Sequence, residues 1–432
     1  MMRKVSSSDS ILYQIYFFLI LFTYSDGFGL RGDGAWGGLG NSSMGPFALL
    51  QLTLFAFSVY LMLGSGRSIF CASQLSKSTK LFLLLFVLIT IELLFQSLFS
   101  LNLDKLSKYA NLIELKSWIL LFSAPALYNK IGIKSVVNVL KICGVISAVV
   151  VFYVLFFNIQ GTAIKTMIGM SADRALRVII PTASIIVLAY FLCLSSYKQT
   201  KSIIDVAGAL ICFLGTFIQL HRSSTFALLL VTALFIIMEL KFRIGSYVII
   251  IAGGIFLLGF VFNKVGYSFE TLFSFFTESR EMVKAGEDAG ASMRFGMIAN
   301  AISFVISNFL IIGIGLDWEP IEDTELYNLL QFAETPTLDN GYYNIIIVFG
   351  ILGLLLFLNM LLRLIIGSYK HKKNGTGDKN FIIISSGVFF YLLYTSLVSM
   401  GNDCFLLDLI FPIVIGIVLM NEKVYRTIAM KS

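Results

Sequence analysis

Four arginines lie where an apolar chain would be expected to carry few. Arg174 and Arg177 fall in "SADRALRVIIP", Arg222 in "QLHRSSTFALLL" and Arg294 in "GASMRFGMIANAI", each within a few residues of a predicted helix start. A guanidinium beside a helix N-terminus is repelled by the positive end of the helix dipole, so the pair suits a bound anion better than the protein alone. Its planar fork donates two parallel N–H bonds to phosphate oxygens, which a lysine ammonium does not. The pattern points to recognition of a phosphate-bearing ligand. If "SADRALR" is helical, Arg174 and Arg177 share a face, being three apart. Ser223 or Ser224 is expected to cap the helix beside Arg222, and Ser292 the one beside Arg294. His221 adjoins Arg222 and is read as assisting it or packing there. For any single arginine the bland reading is a side chain that snorkels to lipid headgroups.

A second group could handle protons. Asp339-Asn340 directly precedes the apolar run "GYYNIIIVFG". A carboxylate there could orient an attacking hydroxyl or accept its proton, and Asn340 is placed to cap the following helix. The bland alternative is an ordinary capping Asx pair. Glu92, Glu114 and Lys116 fall inside apolar runs. Charges in hydrocarbon face a wet cavity or each other, so they predict either a cavity that takes substrate or an ion pair between helices. The five cysteines are scattered and indicate neither a disulfide framework nor a metal cluster. No carboxylate cluster with metal-ligand spacing is evident, so the expected chemistry needs no metal and no cofactor.

These residues need elements to hold them, and composition says which kind. Of 432 residues 57% are hydrophobic and 13% charged, with a mean hydropathy of +0.87; such a chain belongs in a bilayer. Hydropathy predicts spans at 11–30, 46–63, 81–101, 112–128, 137–158, 178–196, 203–220, 224–240, 246–263, 341–366, 381–399 and 404–420. The first follows Arg3 and Lys4, lacks a small-x-small cleavage site and reads as an uncleaved anchor. The expected fold is all-α, a polytopic membrane protein of about twelve transmembrane helices forming one integral domain over 1–432.

Placing both termini in the cytoplasm puts 18 of the 32 Lys and Arg on that side, against 11 outside, as the positive-inside tendency requires. The net charge of +7 therefore reflects membrane orientation, and no basic stripe with interleaved aromatics suggests nucleic acid. Under this topology 264–340 is one long outer loop with interfacial helices, acidic in its second half, and loops of that length usually carry function. Residues 295–315 are apolar enough to cross. A crossing would move the Lys370–Lys379 loop and the basic tail outside, so this run is read as interfacial or re-entrant. Arg174, Arg177, Arg222, Arg294 and Asp339 then share the outer side.

In that order and on that side, the motifs resemble the bacterial O-antigen polymerase and ligase superfamily. Its signature is similar to Arg294, then "GIG" at Gly313–Gly315, then Asp339-Asn340, nine residues, and "GILG" at Gly350–Gly353. "HRSSTFALLL" resembles the family's Arg-Ser/Thr element, carried onto Arg222, and "RALRVIIPTAS" its outer-loop arginine element, carried onto Arg177 and Arg174. Ligases of the family typically show His where this chain has Asp339. The resemblance implies a fold like that of the multispanning lipid-linked glycosyltransferases (GT-C-like), in the inner membrane with a periplasmic site. It implies metal-independent transfer of a growing glycan from undecaprenyl diphosphate to a lipid-linked repeat unit. Arg222 and Arg294 would hold the diphosphate, Arg177 would assist, and Asp339 would orient or deprotonate the acceptor. The lipid bilayer, an undecaprenyl-diphosphate-linked oligosaccharide, a chain-length regulator and a flippase would be its partners. A ligase, and a transporter or flippase of lipid-linked glycan, are the alternatives carried forward.

Overall fold

A computed structural model describes residues 7–24, 53–54, 56–61, 63, 80–88, 91, 115–157, 165–167, 177–179, 183–218, 222–240, 311, 313, 341–373, 378–400, 405 and 410–429. These are almost wholly helical: α1 (Ser7–Tyr24), α2 (Leu115–Phe157), α3 (Ala183–Thr200), α4 (Ile203–Ile218), α5 (Arg222–Phe235), α6 (Gly341–Lys373), α7 (Lys379–Val398) and α8 (Ile410–Ala429). α5 runs on into a π turn, Ile236–Leu240. Among the described residues three stretches are long and apolar enough to cross a membrane, Ala126–Tyr153, Gly341–Lys373 and Lys379–Val398. Shorter apolar helices are Ser10–Leu21, Ile203–Ile218, Ser223–Glu239 and Ile410–Asn421. The expected span 246–263, and the loop 264–340 apart from Ile311 and Gly313, lie outside the described residues.

α7 sits at the centre. It is apolar around its whole circumference, and Phe381, Ile384, Val388, Phe390, Tyr391, Tyr394 and Val398 are all buried, as a helix without a polar face must be. It packs against α3, α5 and α6. Phe390 stacks on Phe191 of α3 and meets Phe235 of α5 edge-on at 4.8 Å. A second aromatic group joins Phe82, Phe349, Phe357, Phe405 and Phe411. The helix ends are capped by specific bonds. Asp378 accepts from the Asn380 N–H at 2.9 Å and so opens α7 with a side-chain cap. α3 closes at Lys201, which takes a left-handed conformation (φ 57) and donates its N–H to the Tyr197 carbonyl at 2.8 Å, leaving only Ser202 before α4 begins.

Three expectations are corrected. Residues 177–179 do not open a helix. They form the strand β2 (Arg177–Ile179), antiparallel to β1 (Lys165–Met167), with Met167 opposite Arg177 and Lys165 opposite Ile179. The run Val178-Ile179-Ile180 is β-branched, and Ile180 precedes Pro181, which disfavours helix there; the shared helical face of Arg174 and Arg177 therefore does not arise. Ser223 and Ser224 stand inside the first turn of α5, which begins at Arg222, and so do not occupy its cap. The span expected at 341–366 is two rods, because α6 breaks at Gly350 (φ 71, ψ −174). α2 likewise has a break, at Gly132 (φ 77, ψ 163), between the spans expected at 112–128 and 137–158.

Candidate functional site

Connectivity decides which helix ends lie together. α3 and α4 form a hairpin around Lys201-Ser202, so Ala183 and Ile218 share the end opposite that turn. α5 starts three residues after α4 and returns to the turn's level, where Glu239 of the π turn pairs with Lys198 of α3 and Lys372 of α6. Arg222 therefore heads α5 at the same end as Ala183. α7 leaves the level of Lys373, and at its far end the Ser399 carbonyl accepts the Gly341 N–H at 2.9 Å. Tyr342 adds a second bond there, donating its hydroxyl to the Ser396 carbonyl at 2.9 Å. The start of α6 thus shares the end that carries Arg222. Asp339 and Asn340 immediately precede that start in the chain.

The break in α6 is made by a partner from far away in sequence. In an unbroken helix the Leu352 N–H would donate to the Val348 carbonyl. Here it donates to Ile311, at 3.1 Å. Gly350 and Gly313 face each other backbone to backbone. A Cβ on Gly350 would sit 2.5 Å from the Gly313 nitrogen and nearer still to the Ile311 carbonyl, while one on Gly313 (φ 86) would sit 2.6 Å from the Val348 carbonyl oxygen. Both glycines are needed twice over, for positive φ and for the closeness of approach. At Gly353 a Cβ would fall on that of Phe349, because the break folds the two rods together. Gly313 of "GIG" and Gly350 of "GILG" are thus two halves of one joint. An unsatisfied backbone group is expensive in hydrocarbon, and this joint satisfies the Leu352 N–H that the break releases.

The opposite end is built from charge. The Glu239 side chain, 3% exposed, is held between Lys198 and Lys372. The Lys372 ammonium also lies 4.9 Å from the Phe390 ring centroid, 5.0 Å from Phe389 and 5.3 Å from Tyr369, a placement that ring quadrupoles stabilise. Lys141 of α2 bonds Asp205 of α4 at 2.6 Å and Ser196 of α3 at 3.2 Å, and Thr200 donates to Asp205 at 3.2 Å. These bonds tie α2, α3, α4, α6 and the π turn together at the level of Lys201-Ser202. Glu239 and Asp205 were not singled out there; each lies in an apolar run that contains one acid, and no spacing reveals a partner over 30 residues away.

The structure places Arg222 as the first residue of α5, Arg177 as the first residue of β2 and Lys116 in the first turn of α2. Arg174, His221, Arg294, Asp339, Asn340, Glu92 and Glu114 lie outside the described residues. α6 begins at Gly341, so the position expected for its cap is that of Asn340. Among the described residues no group of three or more His, Cys, Asp or Glu could hold a metal ion.

The described part is that of a helical membrane protein whose glycine motifs meet in space. Residues 207–358 match the family model for O-antigen ligase, so this stretch of the chain is similar to the O-antigen ligase and polymerase superfamily. The match contains Arg222, Arg294, both glycine elements and Asp339-Asn340; Glu92, Glu114, Lys116, Arg174 and Arg177 precede it. Members of this family are membrane enzymes that transfer glycosyl groups, and a lipid-linked oligosaccharide is the substrate the family implies. A comparison with curated proteins finds no match.

Proposed function

We propose that the protein is a polysaccharide polymerase of the O-antigen type, which transfers a growing glycan from undecaprenyl diphosphate to a hydroxyl of the next lipid-linked repeat unit. The bond between anomeric carbon and diphosphate oxygen breaks, and one from the anomeric carbon to the acceptor oxygen forms. The diphosphate leaves with the electron pair, and the acceptor proton passes to a base. Arg222 and Arg294 neutralise the departing diphosphate, Arg177 assists with Arg174 nearby in the chain, and Asp339 orients or deprotonates the acceptor. Such chemistry needs positioning and charge stabilisation, which arginine forks supply without a metal. The bundle sits in the inner membrane with this end periplasmic, and its twelve spans enclose an outward cavity in which Glu92, Glu114 and Lys116 meet substrate.

The observation that supports this reading best is the common end of the bundle shared by the start of α5, which is Arg222, and the start of α6, which follows Asp339-Asn340. An aspartate at the position where ligases of the resemblance carry histidine favours polymerase over ligase. The test is reconstitution in lipid with undecaprenyl-diphosphate repeat units as sole substrate. Products longer than one unit are expected. Products that appear only when lipid A is added would assign a ligase, and movement of lipid-linked glycan without new glycosidic bonds would assign a transporter. In the same assay Arg222→Lys keeps the charge but loses the fork, and turnover is expected to fall about 10²-fold, the scale of losing one charge-stabilising donor. Unchanged turnover would remove Arg222 from the diphosphate site.

A further inference from the structure

We propose that the joint between Gly313 and Gly350 positions the reacting groups, and that these two glycines are positioning residues for glycan transfer. The inference rests on the polymerase reading above and adds to it how the general base and the arginines are held in register. Arg294 stands 17 residues before Ile311, and Asp339 stands 11 residues before Gly350. The short rod Gly341–Phe349 between Asp339 and the break is fixed at both ends. At its start, Gly341 and Tyr342 bond the Ser399 and Ser396 carbonyls at the end of α7. At its finish, Gly350 lies against Ile311 and Gly313, and the Leu352 N–H bonds the Ile311 carbonyl.

A rod fixed at both ends cannot slide along α7 or turn about its own axis. α7 also packs against α5, the helix that Arg222 opens. The start of α6, which Asp339-Asn340 precede in the chain, is therefore referenced to the Arg222 helix through α7 and to Ile311 and Gly313 through the joint. An ordinary helix crossing would use side chains, which adjust to a lost methyl group. This contact is backbone on backbone, with no side chain between to give way. Near-attack geometry tolerates errors of only about 1 Å before rates fall on the order of 10²-fold, which is the tolerance a contact of this kind can enforce.

The test uses the full chain in lipid nanodiscs, with three measurements. Gly350→Ala and Gly313→Ala each set a Cβ against a backbone oxygen or nitrogen, so the joint must open. The expected result is a kcat lower by about 10²-fold with KM for the lipid-linked unit within about twofold, since binding groups remain while their alignment is lost. The second measurement does not depend on those variants folding. Ile311 and Leu352 have exposed side chains, and Ile311→Cys with Leu352→Cys, Cys71 and Cys404 being changed to Ser, are joined by a short thiol-specific cross-linker. The link is expected to form in high yield and to leave turnover within about twofold, because it fixes an arrangement that transfer already uses. Thirdly, cross-linking in the Gly350→Ala background is expected to be slower. Wild-type kcat in the folded alanine variants, failure of the cross-link, or a cross-link that stops turnover would each overturn the proposal. A wild-type protein that transfers glycan only to lipid A would overturn the polymerase reading alone. The same variants and cross-link would then be judged on that transfer.

Discussion

The two ends of the bundle are held by different kinds of bond. At the level of Lys198 and Lys372 the helices are tied by side-chain charges that neutralise one another: Glu239 between two lysines, and Asp205 with Lys141. At the level of Gly341 and Val398 the described ties end on backbone carbonyls, those of Ser396 and Ser399, with the Tyr342 hydroxyl and the Gly341 N–H as uncharged donors, and the joint at Gly350 is backbone on backbone. The difference teaches where the ionisable groups are in use. At the charged end they are part of the scaffold. At the other end the described ties are made without them, and it is there that the proposal above has Arg222 and Asp339 meet a substrate.

This division makes predictions of graded size. The sharpest is Asp339→Asn, which keeps shape and removes the base. On the polymerase reading, chain elongation is expected to drop between about 10²- and 10⁴-fold, the usual contribution of a positioned base, with thermal unfolding in detergent unchanged. A large loss of stability instead would move Asp339 into the scaffold and break the comparison. At the charged end the order reverses. Glu239→Ala leaves two lysines facing each other, one of them well buried, and is expected to cost about 3 kcal/mol of stability, read as a fall in thermal midpoint, while kcat of the surviving folded fraction is retained. Lys198, 36% exposed on its side chain, contributes the smaller part of that loss because solvent screens it. Lys198→Met is therefore expected to lower the midpoint less than Lys372→Met does. The smallest effect belongs to the buried bond from the Tyr128 hydroxyl to the Asn421 side-chain carbonyl, 2.6 Å long. Tyr128→Phe should cost about 1 kcal/mol without any change in kcat, and a change in kcat would extend the site beyond the end proposed for it.

Much of the helical layout was legible because burial in lipid leaves a strong signature. The apolar runs expected at 203–220 and 381–399 are found as the helices Ile203–Ile218 and Lys379–Val398, of which the second is long and apolar enough to cross a membrane. The break at Gly350 was not legible as a break. A window of about 19 residues averages over a single glycine, and the force that opens the helix comes from Ile311 and Gly313, some forty residues away. The motif itself was visible, and the structure supplies its reason. The strand at Arg177–Ile179 was missed because hydropathy carries no term for β-branching before a proline. The π turn that carries Glu239 was missed because one residue out of phase at the end of an apolar helix changes neither length nor composition. Of the proposed site, the order of its motifs could be read from the chain. What could not be read is which of them touch, because that depends on non-local packing.

The rod from Gly341 to Phe349 also acts as a ruler. It has nine residues, the same nine that separate Asn340 from Gly350. Inserting or deleting one residue there would turn the start of the rod against its finish by about 100° and shift it by about 1.5 Å, so that Gly341 and Gly350 could no longer both meet their partners. That stretch can accept substitutions in the kind of its residues far more readily than a change in their number.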